Sequence, residues 1–367
     1  MEHSNDLLLK IALTHLPQVG AVLTRNLVSF AGGVEAVFKQ KKSQLEKIPG
    51  IGSKTAEVIV EKRSLAQAEK ELEFIEKHKI KALFYLDEPY PFRLKRIKDS
   101  PLLLYYKGDA DLNTTRILGI VGTRKPTAYG ISQCEKILEY LKNMDVLVVS
   151  GLAYGIDVVA HRKALEVGLP TVGVMGSGLD RIYPAVHRKT ASEMLENGGL
   201  VTEFGSGTKP DRENFPMRNR IIAGMCDALI VIESDVKGGS MITAEMANTY
   251  HKDVFALPGR SGDRWSRGCN YLIKTNRAAL MDDAEDLVAC MQWNEVKDKK
   301  EIQRALFVQL SEVEQKIYDL IESVAPVSVD KLFKESTLTA SELASILLNL
   351  EFQGLVKALP GKLYMRI

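Results

Sequence analysis

The densest group of residues able to do chemistry lies in RENFPMRNRIIAG, which begins at Arg212 and sets Arg212, Arg218 and Arg220 around Phe215 and Asn219. A guanidinium offers a planar fork of donors that matches phosphate geometry, so three of them can grip successive phosphates of one backbone. An aromatic ring among them offers a face to an unpaired base, and such stacking is worth ~1–3 kcal/mol per base. Arginines interleaved with an aromatic favour single-stranded nucleic acid over a mononucleotide. Phe215 taken alone reads equally well as a core residue, with the arginines capping a helix. Arg124, far away in the chain, adds a fourth guanidinium.

Four further segments place glycine and hydroxyl residues where an apolar run ends and a helix begins. VGTRKPTAYG, from Val121, offers Gly122 for close backbone approach, the Thr123 hydroxyl, and the charges of Arg124 and Lys125. SGLAYGID starts at Ser150 and Gly151; GVMGSGLDRIYP starts at Gly173; KGGSMITAE opens a helix with Gly238, Gly239 and Ser240. Each alone is a weak phosphate-loop signal, since glycine after a strand is commonly turn geometry. Four together point to a phosphate-rich ligand held at helix N-termini.

Other groupings carry less. GIGSKT, from Gly50, has Ser53 where a Walker motif needs glycine before its lysine, so an ATPase is not expected. Asp157 and His161 lie four apart and share a helix face, which reads as a structural hydrogen-bonded pair rather than an acid and a base. The four cysteines are scattered with no CxxC pair, so neither zinc nor a disulfide framework is expected, in keeping with a reducing cytosol. With 49 basic and 47 acidic residues the net charge is only +2, so any anion site must concentrate its cations locally. No cofactor is expected.

These segments need a scaffold. From Arg116 to about Cys290 the apolar runs ILGIV, VLVVS, TVGVM, LVTEF, DALIVIE and DVFALPG alternate with helices beginning near Thr127, Gly155, Val186, Phe215, Ser240 and Arg267. Strands without polar alternation, separated by helices, predict a parallel sheet covered on both faces: an α/β, Rossmann-like domain. Its ligands would sit outside the carboxyl ends of the strands.

Before it, residues 1–80 read as short helices. QLEKIPGIGSKTAEVIVEKR, from Gln44, has the form of a helix-hairpin-helix, and LPQVG, from Leu16, is a weaker hairpin of the same kind. The Gly-Ile-Gly amides could hold a DNA phosphate with Lys47 and Lys54, or the domain could serve packing; both readings stand. KALFYLDEPYPFRLKRIKDSPLLLYYKGD, broken by prolines, is taken as a connector packed on the sheet domain, which spans 81–292. EVKDKKEIQR reads as a linker within 293–310.

Residues 311–367 give three helices and then LVKAL and KLYMRI around a Pro-Gly turn, the order of a winged helix. This last segment has six basic against eight acidic side chains, a net of −2, and its third helix, TASELASILLNLEF, has no lysine or arginine. A groove-reading helix needs cations, so the expectation is contact with protein rather than DNA. No run of about twenty apolar residues predicts a membrane span, and MEHSNDLLLKIALTHL does not read as a signal peptide, so a cytoplasmic location is expected.

The series VGTRKPTAYG, SGLAYGIDVVAH, GVMGSGLDRIYP, ENFPMRNRIIAG, GGSMITAEMA and FALPGRSGDRWSRGCNYLI resembles the signature of the DprA/Smf (DNA-processing protein A) family, in its order, over most of residues 100–290. The resemblance implies a non-enzymatic protein that binds single-stranded DNA, dimerises, and helps load the RecA recombinase during natural transformation. It implies that Arg124, Arg212, Phe215, Arg218, Asn219 and Arg220 contact DNA, with Gly122, Ser150, Gly151, Gly239 and Ser240 lining the pocket. The alternative is an enzyme. GGSMITAE also resembles the GGxGTxxE motif of nucleotide phosphoribohydrolases, with Glu245 in the catalytic glutamate's place. Met241 and Ile242 replace that motif's Gly-Thr pair, and their bulk disfavours a mononucleotide.

Overall fold

A computed structural model describes residues 2–17, 19–293, 310–321, 326–336, 338–352, 355–359 and 362–366. The expected linker EVKDKKEIQR, the Pro360–Gly361 turn, and Gln18 in the first hairpin lie outside the described residues. The chain divides into two units, 1–295 and 296–367.

The first unit begins with six helices: α1 (Glu2–Thr14), α2 (Ala21–Ala31), α3 (Val34–Lys39), α4 (Lys42–Leu45), α5 (Ser53–Val60) and α6 (Leu65–His78). Helix α6 buries Ala68, Glu71 and Ile75, the i, i+3, i+7 stripe of a one-sided helix. The helix-hairpin-helix is α4, a turn in which Gly50 takes φ +88°, and α5. Ile11, Leu13, Leu27, Leu45 and Ile59 are fully buried at the centre of this layer. Each such side chain contributes roughly 1.5–3 kcal/mol by leaving water.

The sheet domain continues with β1 (Lys81–Phe84), α7 (Phe92–Lys95), β2 (Leu103–Gly108), β3 (Ile117–Gly122), α8 (Ala128–Leu141), β4 (Leu147–Ser150), α9 (Ile156–Glu166) and β5 (Thr171–Val174). It closes with α10 (Arg188–Met194), β6 (Gly198–Thr202), α11 (Asn214–Met225), β7 (Ala228–Ile232), α12 (Gly239–Thr249), β8 (Asp253–Ala256), α13 (Arg267–Lys274), β9 (Ala279–Leu280) and α14 (Ala284–Cys290). The strand order is β1-β2-β6-β5-β4-β3-β7-β8-β9, parallel from β6 to β9. Alternate residues of β3 enter opposite cores, Ile117 and Val121 on one face and Leu118 and Ile120 on the other. That two-sided burial is why the strands read as unbroken apolar runs.

Residues 80–109 are more than the expected connector. β1 and β2 pair antiparallel, and β2 pairs antiparallel with β6, so the segment extends the sheet by two strands. Leu104 and Tyr106 face the sheet domain's core, whereas Leu103 and Tyr105 face the core of the N-terminal helices. The helical layer therefore covers one face of this edge. Among the described residues no helix is long and apolar enough to cross a membrane.

The second unit holds α15 (Glu312–Leu320), β10 (Val327–Ser328), α16 (Val329–Glu335), α17 (Ala340–Phe352), β11 (Val356–Leu359) and β12 (Leu363–Arg366). Its antiparallel sheet runs β10-β12-β11; β10 is a strand the sequence pattern did not announce. Ile317, Ile321, Leu332, Leu343, Leu347, Leu350 and Val356 form its core.

Candidate nucleic-acid interface

From β3 the chain steps through β4 and β5 to β6, then returns along α11 to place β7 against the other side of β3. The connections leaving β3 and β7 diverge, which opens a crevice at their carboxyl ends. It holds a cleft of about 770 Å³ lined by the Gly122–Lys125 turn, by Asp235 and Gly238–Ser240, and by one face of α11. Phe215, Arg218, Asn219 and Ile222 all line it. Their i, i+3, i+4, i+7 spacing is one helical stripe.

The same geometry removes Arg220. Two residues beyond Arg218 lies about 200° around the helix axis. Arg220 accordingly leaves the cleft, forming an ion pair with Glu203 and donating to the Asp99 carbonyl. Ser150 is a second correction: it is fully buried, and its Oγ donates to the Ile120 carbonyl at 2.5 Å. Asp157 and His161 do not bond to each other as expected. Asp157 accepts from the Gly151 amide at 3.2 Å, while His161 Nδ1 meets Thr171 Oγ1 at 2.7 Å.

The remaining glycines mostly admit protein rather than ligand. A methyl group on Gly122 would overlap the Ile232 carbonyl and the Ile156 side chain. One on Gly151 would overlap the Arg218 guanidinium. Arg218 is only 3 % exposed; it donates to the Val174 carbonyl at 2.6 Å, and its Nε, also buried, has no partner. Burial lowers its pKa to about 10, although Asp157 acts in the opposite direction. Burial likewise pushes the Asp157 carboxyl up against the pull of Arg218. The floor of the cleft thus holds a cation and an acid that are both poorly solvated.

The helix ends differ. Thr127 and Glu233 close the start of α8: Thr127 Oγ1 accepts from the Gly130 amide, and Glu233 accepts from both the Thr127 amide, at 2.8 Å, and its hydroxyl. Helix α12 begins at Gly238 with no side-chain cap, and a side chain at Gly239 would meet only open space. Its Ser240 hydroxyl is turned to Ser234 Oγ at 2.8 Å.

Over the floor sit charge and aromatic surface. Arg124, Lys125 and Arg212 are exposed on the rim. The Arg124 guanidinium lies 5.7 Å from the Phe215 ring centre, within cation–π range. Tyr183 stands 5.8 Å from Phe215 and is 46 % exposed; Tyr154 is 50 % exposed. With Arg218 and Gly151 they line a narrower recess. Both tyrosines and Trp265 are candidate-site residues that motif spacing does not single out, although the tyrosines lie within the SGLAYGID and GLDRIYP segments. Glu245 does not line the cleft; it is ion-paired with Arg277 on the exposed side of α12.

A doubly wound sheet with a cationic, aromatic-rimmed cleft at its switch point, preceded by a helix-hairpin-helix and followed by a winged helix, defines a Rossmann-type protein with two added modules. The chain belongs to the DNA recombination-mediator protein A family, whose model matches residues 81–292. A DprA winged-helix model matches 306–362, and a SAM-like tandem helix-hairpin-helix model matches 10–63. Protein Smf of Synechocystis is 31% identical over 97% of this chain and 98% of its own length. The solved DNA processing protein A of Streptococcus pneumoniae superposes with a TM-score of 0.67 at 31% identity, covering 79% of this chain and 98% of its own. That of Helicobacter pylori, described for its single-stranded DNA binding mode, gives 0.53 at 30%, covering 58% and 96%.

Proposed function

We propose that the cleft binds single-stranded DNA without altering it, and that the protein, acting in the cytoplasm as a homodimer, presents the strand to a RecA-type recombinase. The observation that carries the reading is the stacked rim: Arg124 over the face of Phe215, with Tyr183 beside it and the buried Arg218 beneath. Unpaired bases can lie on those rings while their phosphates meet the guanidinium groups, whereas a duplex keeps its bases hidden. The described single-stranded DNA binding of the Helicobacter pylori relative supports the same choice. RecA delivery and the dimer rest on family membership, and two clefts in one dimer would add avidity. The hydrolase alternative loses support, because Glu245 is held outside the cleft by Arg277.

Fluorescence anisotropy with labelled oligothymidine and a duplex of equal length tests the proposal. The single strand is expected to bind more tightly, and nucleoside monophosphates to release no free base on incubation. Equal or tighter binding of duplex, or base release, would overturn it. The winged helix, whose Leu348 and Phe352 are exposed on a helix without cations, is assigned to protein contact. In the same assay Leu348→Glu/Phe352→Glu should leave affinity unchanged; a loss would place that domain on DNA.

A further inference from the structure

A second cationic surface lies on the far side of α11, at the seam between the N-terminal helices and the sheet domain. A groove of about 340 Å³ is lined by Arg25 and Asn26 of α2 and by Lys95, Arg96 and Lys98 around the end of α7. Among the described residues none of these four cations is ion-paired with a carboxylate. Arg25 donates to the Lys98 carbonyl at 3.0 Å, and to the Ser100 carbonyl and hydroxyl at 2.7 and 2.5 Å. Lys95 donates to the Asp87 carbonyl at 2.7 Å, and Arg96 rests over the Phe92 ring at 5.3 Å. These contacts position the cations without neutralising them. Of the neighbouring carboxylates, Asp87 is ion-paired with Lys10 at 2.6 Å, Asp99 accepts from the Tyr250 hydroxyl at 2.7 Å, and Glu88 is exposed. Lys252 lies in the same field: burial first, then Arg93 and Arg96, hold its ammonium below the usual lysine range.

The groove connects to the cleft through α11. Arg218 and Asn219 face the cleft, while Arg220 reaches the carbonyl of Asp99, the neighbour of Lys98. Pro216 lies at the cleft edge, and Met217, the next residue, is 46 % exposed and one helical turn from Arg220. This apolar saddle suits a passing base, with unneutralised cations on either side.

We propose that a single strand longer than the cleft crosses Met217 and continues into this groove, where Arg25, Lys95, Arg96 and Lys98 take its phosphates. The inference rests on the proposed single-strand binding by the cleft and adds a second segment to the track. The groove forms only where the helical layer meets the sheet domain, so it gives the helix-hairpin-helix region a place beside the DNA through α2 rather than through its Gly-Ile-Gly turn.

The test is Arg96→Ala/Lys98→Ala in the full chain, titrated with two oligothymidines. One is about six nucleotides, enough for the cleft; the other is about thirty, longer than the ~4–16 nucleotides a single such module occupies. Each lost phosphate contact makes the slope of log K against log salt shallower by about 0.7, equivalent to about 5-fold in affinity at ~0.1 M salt. The variant should bind the short oligonucleotide as the wild type does. It should bind the long one about 25-fold more weakly at ~0.1 M salt, with a slope shallower by about 1.4. Unchanged affinity and slope for the long oligonucleotide overturn the proposal and leave the groove to an acidic protein partner. Should the double variant unfold, Lys95→Glu, at an exposed residue bonded only to a carbonyl, reads the same difference. Arg124→Ala separates the two claims: if it fails to weaken the short oligonucleotide the cleft reading falls, while the groove is still judged on the long one.

Discussion

The salt dependence of binding can count the cations that meet phosphate, and the two fates of arginine on α11 make the count a test. Four cationic side chains open onto the cleft: Arg124, Lys125, Arg212 and Arg218. At about 0.7 per contact, an oligothymidine confined to the cleft should show a slope near −2.8, which is about a 50-fold loss of affinity between about 50 and 200 mM salt. Arg124→Ala should reduce the slope to about −2.1, cut that loss to about 20-fold, and weaken binding about 5-fold at ~0.1 M. Arg220 is neutralised by Glu203 and should not register. It has to be removed together with its partner, because a buried carboxylate left alone costs about 3–5 kcal/mol. Arg220→Met/Glu203→Gln is therefore expected to keep the wild-type slope with a short oligonucleotide. Anisotropy titrations at several salt concentrations supply the slopes. If Arg220→Met/Glu203→Gln shifts the slope as much as Arg124→Ala does, the assignment of α11's two faces is wrong; if Arg124→Ala shifts nothing, the cleft is not where the strand binds.

Two further outcomes concern Gly151 and His161. Gly151→Ala drives a methyl group into the Arg218 guanidinium, so it should cost about 1–3 kcal/mol in denaturant unfolding and weaken oligonucleotide binding; wild-type behaviour in both would show the guanidinium free to move. His161 is buried with Nε2 unpartnered, and burial lowers its pKa from 6.5 to about 3. Below pH 6.5 the unfolded chain takes up a proton that the folded one refuses, so stability present above that pH is lost as pH falls, roughly 2 kcal/mol by pH 5. His161→Gln should lack this part of the acid slope in unfolding titrations from pH 7 to 5; identical slopes would refute the assignment.

The parallel sheet was legible because both faces of each strand are covered and nothing polar interrupts Ile117–Val121 or Ala228–Ile232. β1 and β2 were not, since prolines break the stretch between them and the cover for Leu103 and Tyr105 comes from helices much earlier in the chain. At the site, helical spacing alone would have separated Arg220 from Phe215, Arg218 and Asn219. Glu203 was already visible inside the LVTEF run, where a carboxylate in a buried strand end asks for a cation. Ser150, at the last position of β4, had a neighbouring strand carbonyl within reach. Tyr154 and Tyr183 carried no signal beyond their place in the loops, because only the fold shows that the loops after β4 and β5 converge on Phe215.

The way the cleft is built also bears on ligand length. A mononucleotide site relies on bare backbone amides and on glycines that let phosphate come close. Here the start of α8 is closed by Glu233, and Gly122 and Gly151 are filled by the protein's own atoms. The starts of α9, α11 and α12 carry no side-chain cap, but they leave no glycine-lined cradle at Gly122 or Gly151. Most of the charge available to a ligand therefore sits on long side chains along the rim, at Arg124, Lys125 and Arg212, with aromatic faces between and beside them. Flexible cations are a poor cage for one phosphate, because each must give up rotamer freedom for a single contact. Along a polymer each finds its own phosphate and the rings find successive bases, so the same residues that would hold a mononucleotide weakly suit a continuous strand.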